Sequence, residues 1–181
     1  HGCVEQTTSS VFPQVYLTQL MDLPDERAEE VQNNVQAGIT RLRRFQVPGG
    51  GFAYWPGAGS TNNWSTNYAG HFLVEAERAG YLVPSDMIRK WKDHQSKEAN
   101  RWSPLGGNSL EQAYRLYTLA LAGQPELGAM NRLKGTKNQS NEVVWRLAAA
   151  YELAGQSDTA KALVAKAGLD PARTQRELSG T

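Results

Sequence analysis

The sequence predicts an all-α fold built from helical hairpins. Apolar residues recur at helical spacing in segment after segment, as Leu110, Ala113 and Tyr117 do on one expected face. The alternation of apolar and polar residues that is typical of half-buried strands is nearly absent. Ala-Gly pairs follow four of the expected helices, where glycine takes the left-handed conformation that ends a helix. Short helices joined by such turns pack as hairpins, so we expect an array or ring of hairpins.

Eight helices are expected, and most of them have a start signal as well as a stop signal. Ser109, with Gln112 three residues later, forms a capping-box pattern. Ser85, Ser140 and Ser157 stand where N-caps are expected. The Ala-Gly stops lie at 79–80, 122–123, 154–155 and 167–168. The expected ranges are 8–22, 25–46, 65–79, 85–100, 109–122, 126–133, 141–154 and 157–167.

One long connection, over residues 48–63, interrupts the helical pattern. Its density of glycine and proline excludes a continuous helix. The same segment carries Phe52, Tyr54 and Trp55, which would lose much free energy if they were left in water. We therefore expect an ordered loop that is folded against the ends of the helices.

Composition and charge exclude several classes of partner and site. The chain has 181 residues, of which 40% are hydrophobic and 20% charged, as in a packed domain of ordinary size. A formal charge of +1 gives no field that would attract nucleic acid or a membrane surface. The apolar runs are too short to cross a bilayer. A single cysteine, Cys3, excludes an internal disulfide and a cysteine-based zinc site, and no metal or cofactor is expected.

The first six residues, which read HGCVEQ, place a thiol three residues before a primary amide. The sulfur of Cys3 and the side-chain carbonyl of Gln6 can meet across one tight turn, and loss of ammonia would join them in a cyclic thioester. Such a ring stores an acyl group, because a thiolate leaves more readily than an amide nitrogen. A helix expected to start near Thr7 would favour that thiolate with its positive end. Gly2 is expected to supply backbone freedom where the ring closes.

Four segments of the chain carry a resemblance to one family. GCVEQTTS, at 2–9, strongly resembles the thioester motif of the α2-macroglobulin and complement family, and the bacterial branch is the closer match. The likeness continues through QVPGGGFAYWPG at 46–57, NWSTNYAGHFL at 63–73 and EQAYRLYTLALAG at 111–123. Motif, loop and helices in this order are far more specific than Cys-x-Glu-Gln alone. The resemblance spans nearly the whole chain.

The resemblance implies an α/α toroid of about six hairpins, of which this chain would hold about four. Residues 1–181 are then expected to form one incomplete thioester domain of a larger multidomain protein. Cys3 and Gln6 carry over as the thioester residues. Gly2 and Glu5 carry over as supporting motif residues, with a conformational role for Glu5.

The implied activity is that of a protease trap and not of an enzyme. A host or rival protease would cut a bait region, the parent protein would collapse around it, and the uncovered thioester would acylate a nucleophile on the captured protease. The expected partners are therefore such proteases and the other domains of the same chain. The expected location of a bacterial parent is the periplasm or the cell surface, as a secreted or lipid-anchored protein.

Other interpretations of the same residues stay open. A free cysteine is most often a small buried hydrophobe, and a cysteine nucleophile would need a histidine nearby. A packing role is expected for His71, which lies mid-helix, and a solvated face for His94, while His1 is adjacent to the motif. The basic cluster at 41–44 is expected to complement a helix dipole.

The main rival function is a non-catalytic helical-hairpin scaffold that binds other proteins. A scaffold cysteine would alkylate readily and show no loss of ammonia, whereas a thioester blocks alkylation until a nucleophile opens it. Glycosidases and terpenoid cyclases also use α/α toroids, but their chemistry needs clustered carboxylic acids. The glycine-rich loop contains no Asp or Glu, so an enzyme is not expected.

Overall fold

The computed structural model describes residues 2–167, and these are helical apart from their connections. Extended pairing within this range is limited to one isolated antiparallel bridge, between Gln46 and Phe52. The α-helices are α1 Val4–Val11, α2 Leu17–Leu20, α3 Asp25–Leu42, α4 Asn63–Arg78, α5 Ser85–Arg101, α6 Ser109–Leu121, α7 Leu127–Lys134, α8 Asn141–Leu153 and α9 Ser157–Lys166. The all-α prediction is confirmed. The expected stop at 167–168 and the end of the expected domain lie outside the described residues.

All eight expected helical segments are present, but the first is divided and begins earlier than predicted. The segment expected over 8–22 consists of α1, a 3₁₀ turn at Phe12–Tyr16 and the short α2. Pro13 explains the break, because it has no N–H to donate and its ring collides with the carbonyl one turn back. Helix α1 starts at Val4, not near Thr7, so that Cys3 is itself the N-cap.

The predicted N-caps are right for one helix and displaced by one residue for others. Asn108 caps α6 in place of Ser109, since its side chain accepts hydrogen bonds from two backbone N–H groups of the first turn, at 2.9 and 3.1 Å. Gln112 is buried and does not complete a capping box with Ser109. Helices α5 and α9 begin at the serines expected to cap them. Ser140 is the N-cap residue of α8, as predicted.

The chain divides into two compact units, His1–Gln95 and Ser96–Thr181. In the first unit α1 packs on α3 and α4, and Phe45, Phe72 and Trp91 are among its fully buried side chains. In the second unit α6 packs on α7 and α8, and α8 packs on α9. Gly123 and Gly155 end α6 and α8 with φ of 75° and 73°, so these two Ala-Gly stops act as predicted. The single incomplete domain over 1–181 stays a prediction.

The aromatic loop, residues 48–63, is ordered against the first unit, as predicted. Its anchor is the fully buried Phe52, whose backbone N–H donates to Thr66 Oγ1 in α4 at 2.9 Å. The Phe52 carbonyl accepts the N–H of Asn62, also at 2.9 Å, which closes the loop at the start of α4. Tyr54 and Trp55 remain 38% and 54% exposed. Phe52 therefore holds the loop, and the next two aromatic residues are left at its surface.

Tyr151 in α8 is expected to make the stability of the second unit pH-dependent. Its buried hydroxyl donates to Asn131 Oδ1 at 2.7 Å, and burial raises the pKa of Tyr151 to about 12. In the unfolded chain the phenol ionises near its ordinary pKa of 10.0, so the stabilisation is complete below pH 10 and is lost as the pH rises to about 12. Urea unfolding should show a steeper fall in the free energy of unfolding over this window for the wild type than for Tyr151→Phe. Equal slopes would contradict the assignment.

Candidate functional site

Cys3 and Gln6 are joined by two reciprocal hydrogen bonds at the N-terminus of α1. The backbone N–H of Gln6 donates to Cys3 Sγ at 3.5 Å, and the backbone N–H of Cys3 donates to Gln6 Oε1 at 3.1 Å. This arrangement is a capping box in which a sulfur replaces the usual hydroxyl oxygen. Each of the two residues that a thioester would join therefore has its side chain hydrogen-bonded to the backbone of the other.

The two ends of this pair differ in their exposure to solvent. Cys3 is 4% exposed, and the Gln6 side chain is exposed. A nucleophile from solvent therefore has access to the carbonyl side of the pair, while the sulfur lies on the shielded side. The positive end of α1 adjoins that sulfur and stabilises negative charge on it.

Gly2 provides space at this site. The expected role of its backbone freedom in ring closure stays a prediction. A Cβ on Gly2 would lie 3.1 Å from Gln6 Oε1, which is closer than ordinary contact, and 3.4 Å from Gln6 Cβ. A side chain here would press on the Gln6 amide, and this explains why the motif has a glycine before its cysteine.

Tyr54 connects the aromatic loop to the motif. The Tyr54 carbonyl accepts the backbone N–H of Val4 at 3.1 Å. The Tyr54 hydroxyl hydrogen-bonds to Cys3, and this bond, together with negative charge on Cys3 and Glu5, raises the pKa of Tyr54. The Tyr54 ring meets Trp55 edge-on, with centroids 5.3 Å apart. Sequence reasoning placed this loop on the helices but missed its contact with the cysteine, because no local spacing links positions so far apart.

A cavity of about 460 Å³ opens beside the motif. Its lining residues are Gly2, Arg41, Arg44, Phe45, Trp55 and Pro56. The basic cluster does lie at the C-terminal end of α3, as predicted, but two of its three arginines also face this cavity. The third, Arg43, instead reaches the carboxylate of Asp86 at 3.4 Å. The sequence therefore predicted correctly that the cluster lies at a helix end, but it did not predict that two of its arginines line the cavity beside the motif.

The two described histidines, His71 and His94, have packing environments. His71 meets the ring of Phe12 edge-on at 5.0 Å between centroids, and its Nε2 lies 3.9 Å from Glu75 Oε1, in agreement with the expected packing role. The solvated face expected for His94 is wrong: it is half-buried against Gly51, where an added Cβ would lie 2.8 Å from His94 Nε2. The glycine-rich loop covers it. His1 lies outside the described residues.

Between residues 2 and 167, no group of three or more His, Cys, Asp or Glu side chains is arranged to hold a metal ion. None of the helices in that range combines the length and the apolarity that a membrane span requires.

Comparison with known proteins extends the likeness of the motif to much of the chain. The family model described as the A-macroglobulin TED domain matches residues 1–102. The α2-macroglobulin of Escherichia coli strain K12 is 38% identical over 94 residues, which are 50% of this chain and 6% of that protein. The α2-macroglobulin of Xylella fastidiosa is 26% identical over 145 residues, which are 74% of this chain and 9% of that protein.

Solved structures of bacterial α2-macroglobulins share the fold. The native E. coli protein, from domain MG7 to the C-terminus, matches 92% of this chain and 28% of its own, with a TM-score of 0.77 and 29% identity. A Salmonella α2-macroglobulin reacted with methylamine matches 91% of this chain and 12% of its own, with a TM-score of 0.75 and 27% identity. The all-helical fold is that of the α/α toroid in these proteins. The chain belongs to the A-macroglobulin TED domain family, and it is similar to the bacterial α2-macroglobulins.

Proposed function

We propose that this chain is the thioester domain of a bacterial α2-macroglobulin-like protease inhibitor, in which Cys3 and Gln6 form a cyclic thioester. The observation that carries the proposal is the pair of reciprocal hydrogen bonds between these two residues, in a chain of this family. Membership of an inhibitor family supports the expectation that the chain is not an enzyme.

The chemistry of the proposed ring follows from the contacts of Cys3 and Gln6. Cys3 Sγ attacks the side-chain carbonyl carbon of Gln6, the C–N bond breaks, and the nitrogen leaves as ammonia with the thiol proton. An attacking amine then forms an amide with Gln6, and Cys3 recovers a proton as a thiol. In both steps negative charge develops on Gln6 Oε1, which already accepts the Cys3 backbone N–H at 3.1 Å. That N–H is positioned to stabilise the tetrahedral intermediate.

The partners and the location belong to the same proposal. A protease that activates the parent protein would be acylated by the exposed thioester, and the other domains of the chain would shield the ring before activation. A structure of E. coli α2-macroglobulin activated by trypsin, similar to this chain with a TM-score of 0.75, supports the protease as partner. The bacterial relatives support a periplasmic or cell-surface protein, and a secreted or lipid-anchored parent is part of the same proposal.

The domain boundaries are also proposed and not established. The chain spans 6% of the E. coli relative, which supports one domain of a much longer protein. By the resemblance, residues 1–181 would form about four of the six hairpins of the toroid.

Intact mass of the full-length protein tests the proposed ring. Before treatment, the peptide containing Cys3 and Gln6 should be lighter by one ammonia and should resist alkylation. Methylamine should then add to Gln6, and one new thiol should become titratable in step with the gain in mass. If Cys3 of the untreated protein is freely alkylated and Gln6 is unmodified, the thioester proposal is wrong.

One observation favours the rival function, a scaffold that binds another protein. An apolar groove lies between α8 and α9, and Trp145 on its edge is 44% exposed. Exposed apolar grooves of this kind often mark protein interaction sites. The mass experiment decides between the two functions, because a scaffold needs no reaction between Cys3 and Gln6.

Tyr54→Phe is expected to slow the opening of the ring by methylamine about tenfold, since a hydrogen bond to a charged leaving group is lost. The substitution keeps the ring that contacts Trp55 and removes only the hydroxyl that donates to Cys3. The raised pKa of Tyr54 keeps this donor protonated well into alkaline solution. The rate of thiol release, followed with a colorimetric disulfide reagent, measures the effect.

Tyr68→Phe is the matched control for this substitution. In the wild type, the Tyr68 hydroxyl lies 3.2 Å from the hydroxyl of Ser9. Ser9 is in the same helix as the motif but away from the Cys3 sulfur. Thiol release should therefore keep the wild-type rate in this variant. Equal rates for Tyr54→Phe and Tyr68→Phe would show that the Tyr54 hydroxyl has no part in the reaction.

A further inference from the structure

The cavity beside the motif contains two cationic side chains that the described residues leave without a carboxylate. Within residues 2–167, neither the Arg41 nor the Arg44 guanidinium lies within ion-pair distance of an acidic side chain, whereas Arg43 between them binds Asp86. Phe45, Trp55 and Pro56 form apolar walls around the two charges. A guanidinium presents several N–H donors in a planar fork that matches a carboxylate. The cavity thus combines apolar walls with donors for an anion.

The cavity is lined by Gly2, which is adjacent to the Gln6 side-chain carbonyl. A Cβ on Gly2 would lie 3.1 Å from Gln6 Oε1 and 3.7 Å from Arg41 Nη2, so the amide oxygen and the guanidinium flank the same backbone position. A ligand whose anionic group reached Arg41 would therefore hold its other end close to the Gln6 carbonyl. Positioning of this kind raises the effective concentration of a nucleophile.

We propose that this cavity binds a carboxylate of the acceptor, so that amines carrying a carboxylate a few bonds from the nitrogen open the thioester preferentially. On a protein surface, the acceptor is a lysine with an acidic residue beside it. Two effects act in the same direction. The guanidinium groups hold the carboxylate, and their positive charge favours the neutral amine, which is the nucleophile, over its ammonium form. The apolar walls contact the methylene groups between the two ends. This inference rests on the proposed thioester.

A matched pair of small amines tests the preference in the full-length protein. 5-Aminopentanoate and its neutral amide, 5-aminopentanamide, have the same length and the same nucleophile. Rates of thiol release are compared at equal concentrations of free amine, and the ratio of the two rates is the readout. We expect 5-aminopentanoate to react about tenfold faster at low ionic strength. The ratio should fall as salt is added, because the site is open to solvent.

Arginine substitutions locate the effect. The double variant Arg41→Gln/Arg44→Gln should bring the ratio to about one, since neither glutamine can form a charged fork. Arg43→Gln, at the same helix end but bonded to Asp86, should keep the wild-type ratio and is the matched control.

The outcomes distinguish failure of the carboxylate site from failure of the proposed thioester. A wild-type ratio near one, a ratio that persists in the double variant, or a ratio insensitive to salt overturns the carboxylate site while leaving the thioester intact. If the double variant does not fold, the single Arg41→Gln variant and the wild-type salt dependence decide the question. Absence of thiol release with either amine and with methylamine overturns both this inference and the proposed thioester.

Discussion

Gln6→Glu is expected to abolish incorporation of amines while leaving the start of α1 unchanged. A glutamate carboxylate can accept the Cys3 N–H that Gln6 Oε1 now accepts at 3.1 Å, so the capping box survives. Its negative charge also suits the helix N-terminus. The carboxylate cannot release ammonia and resists attack by a thiol, so no ring forms. The variant has the covalent structure of the hydrolysed ring, and its mass and free thiol provide the reference for that state.

Cys3→Ala is the companion variant, because it removes the nucleophile and the cap acceptor together. Amine incorporation should again be lost, and covalent capture of a cleaving protease with it. Stability should fall by no more than about 1 kcal/mol, since the lost cap is a weak sulfur acceptor at 3.5 Å. Intact mass, thiol titration and denaturing gels after protease treatment measure these effects. Any gain of methylamine by either variant, at position 6 or elsewhere in the motif, would contradict the assigned chemistry.

Features set by neighbours in the chain were predicted well from the sequence. Cys3 and Gln6 meet because they are three residues apart at a helix start, which is a local geometry. The stops at Gly123 and Gly155 follow from one backbone conformation. Asn108 and Ser109 are both good caps, so their order could not be decided by residue type alone.

Features set by distant contacts were missed or misjudged. Tyr54 reaches Cys3, and Arg41 reaches the edge of the same motif, through tertiary packing that no sequence spacing encodes. His94 has polar neighbours in the chain, yet the glycine-rich loop buries half of it. The aromatic loop takes part in each case, because it carries Tyr54, lines the cavity with Arg41 through Trp55, and covers His94. Its composition indicated that it is ordered, and only the fold shows what it covers.

Gly70→Ala is expected to destabilise the first unit of the fold strongly, because the added methyl group collides with a buried tryptophan. A Cβ at this position in α4 would lie 2.0 Å from both Cε2 and Nε1 of Trp91. The indole has little room to retreat, because Trp91 is fully buried and its Nε1 donates to the Thr66 carbonyl at 2.9 Å. Overpacking of this kind costs about 1–3 kcal/mol or more, and the loss of the buried hydrogen bond adds to it. The better helix propensity of alanine offsets only about 1 kcal/mol.

Gly128→Ala is the same substitution in a helix where the added Cβ meets open space. Nothing lies within 4 Å of that position in α7, so the propensity gain should act alone and stabilise the protein by up to about 1 kcal/mol. Urea unfolding should therefore give opposite signs for the two variants, with a net loss of about 2 kcal/mol or more for Gly70→Ala. Trp91→Phe in the Gly70→Ala background should recover part of this loss, because the smaller ring makes room for the methyl group. If the two changes instead add independently, contact between the added methyl group and Trp91 is not the cause of the loss.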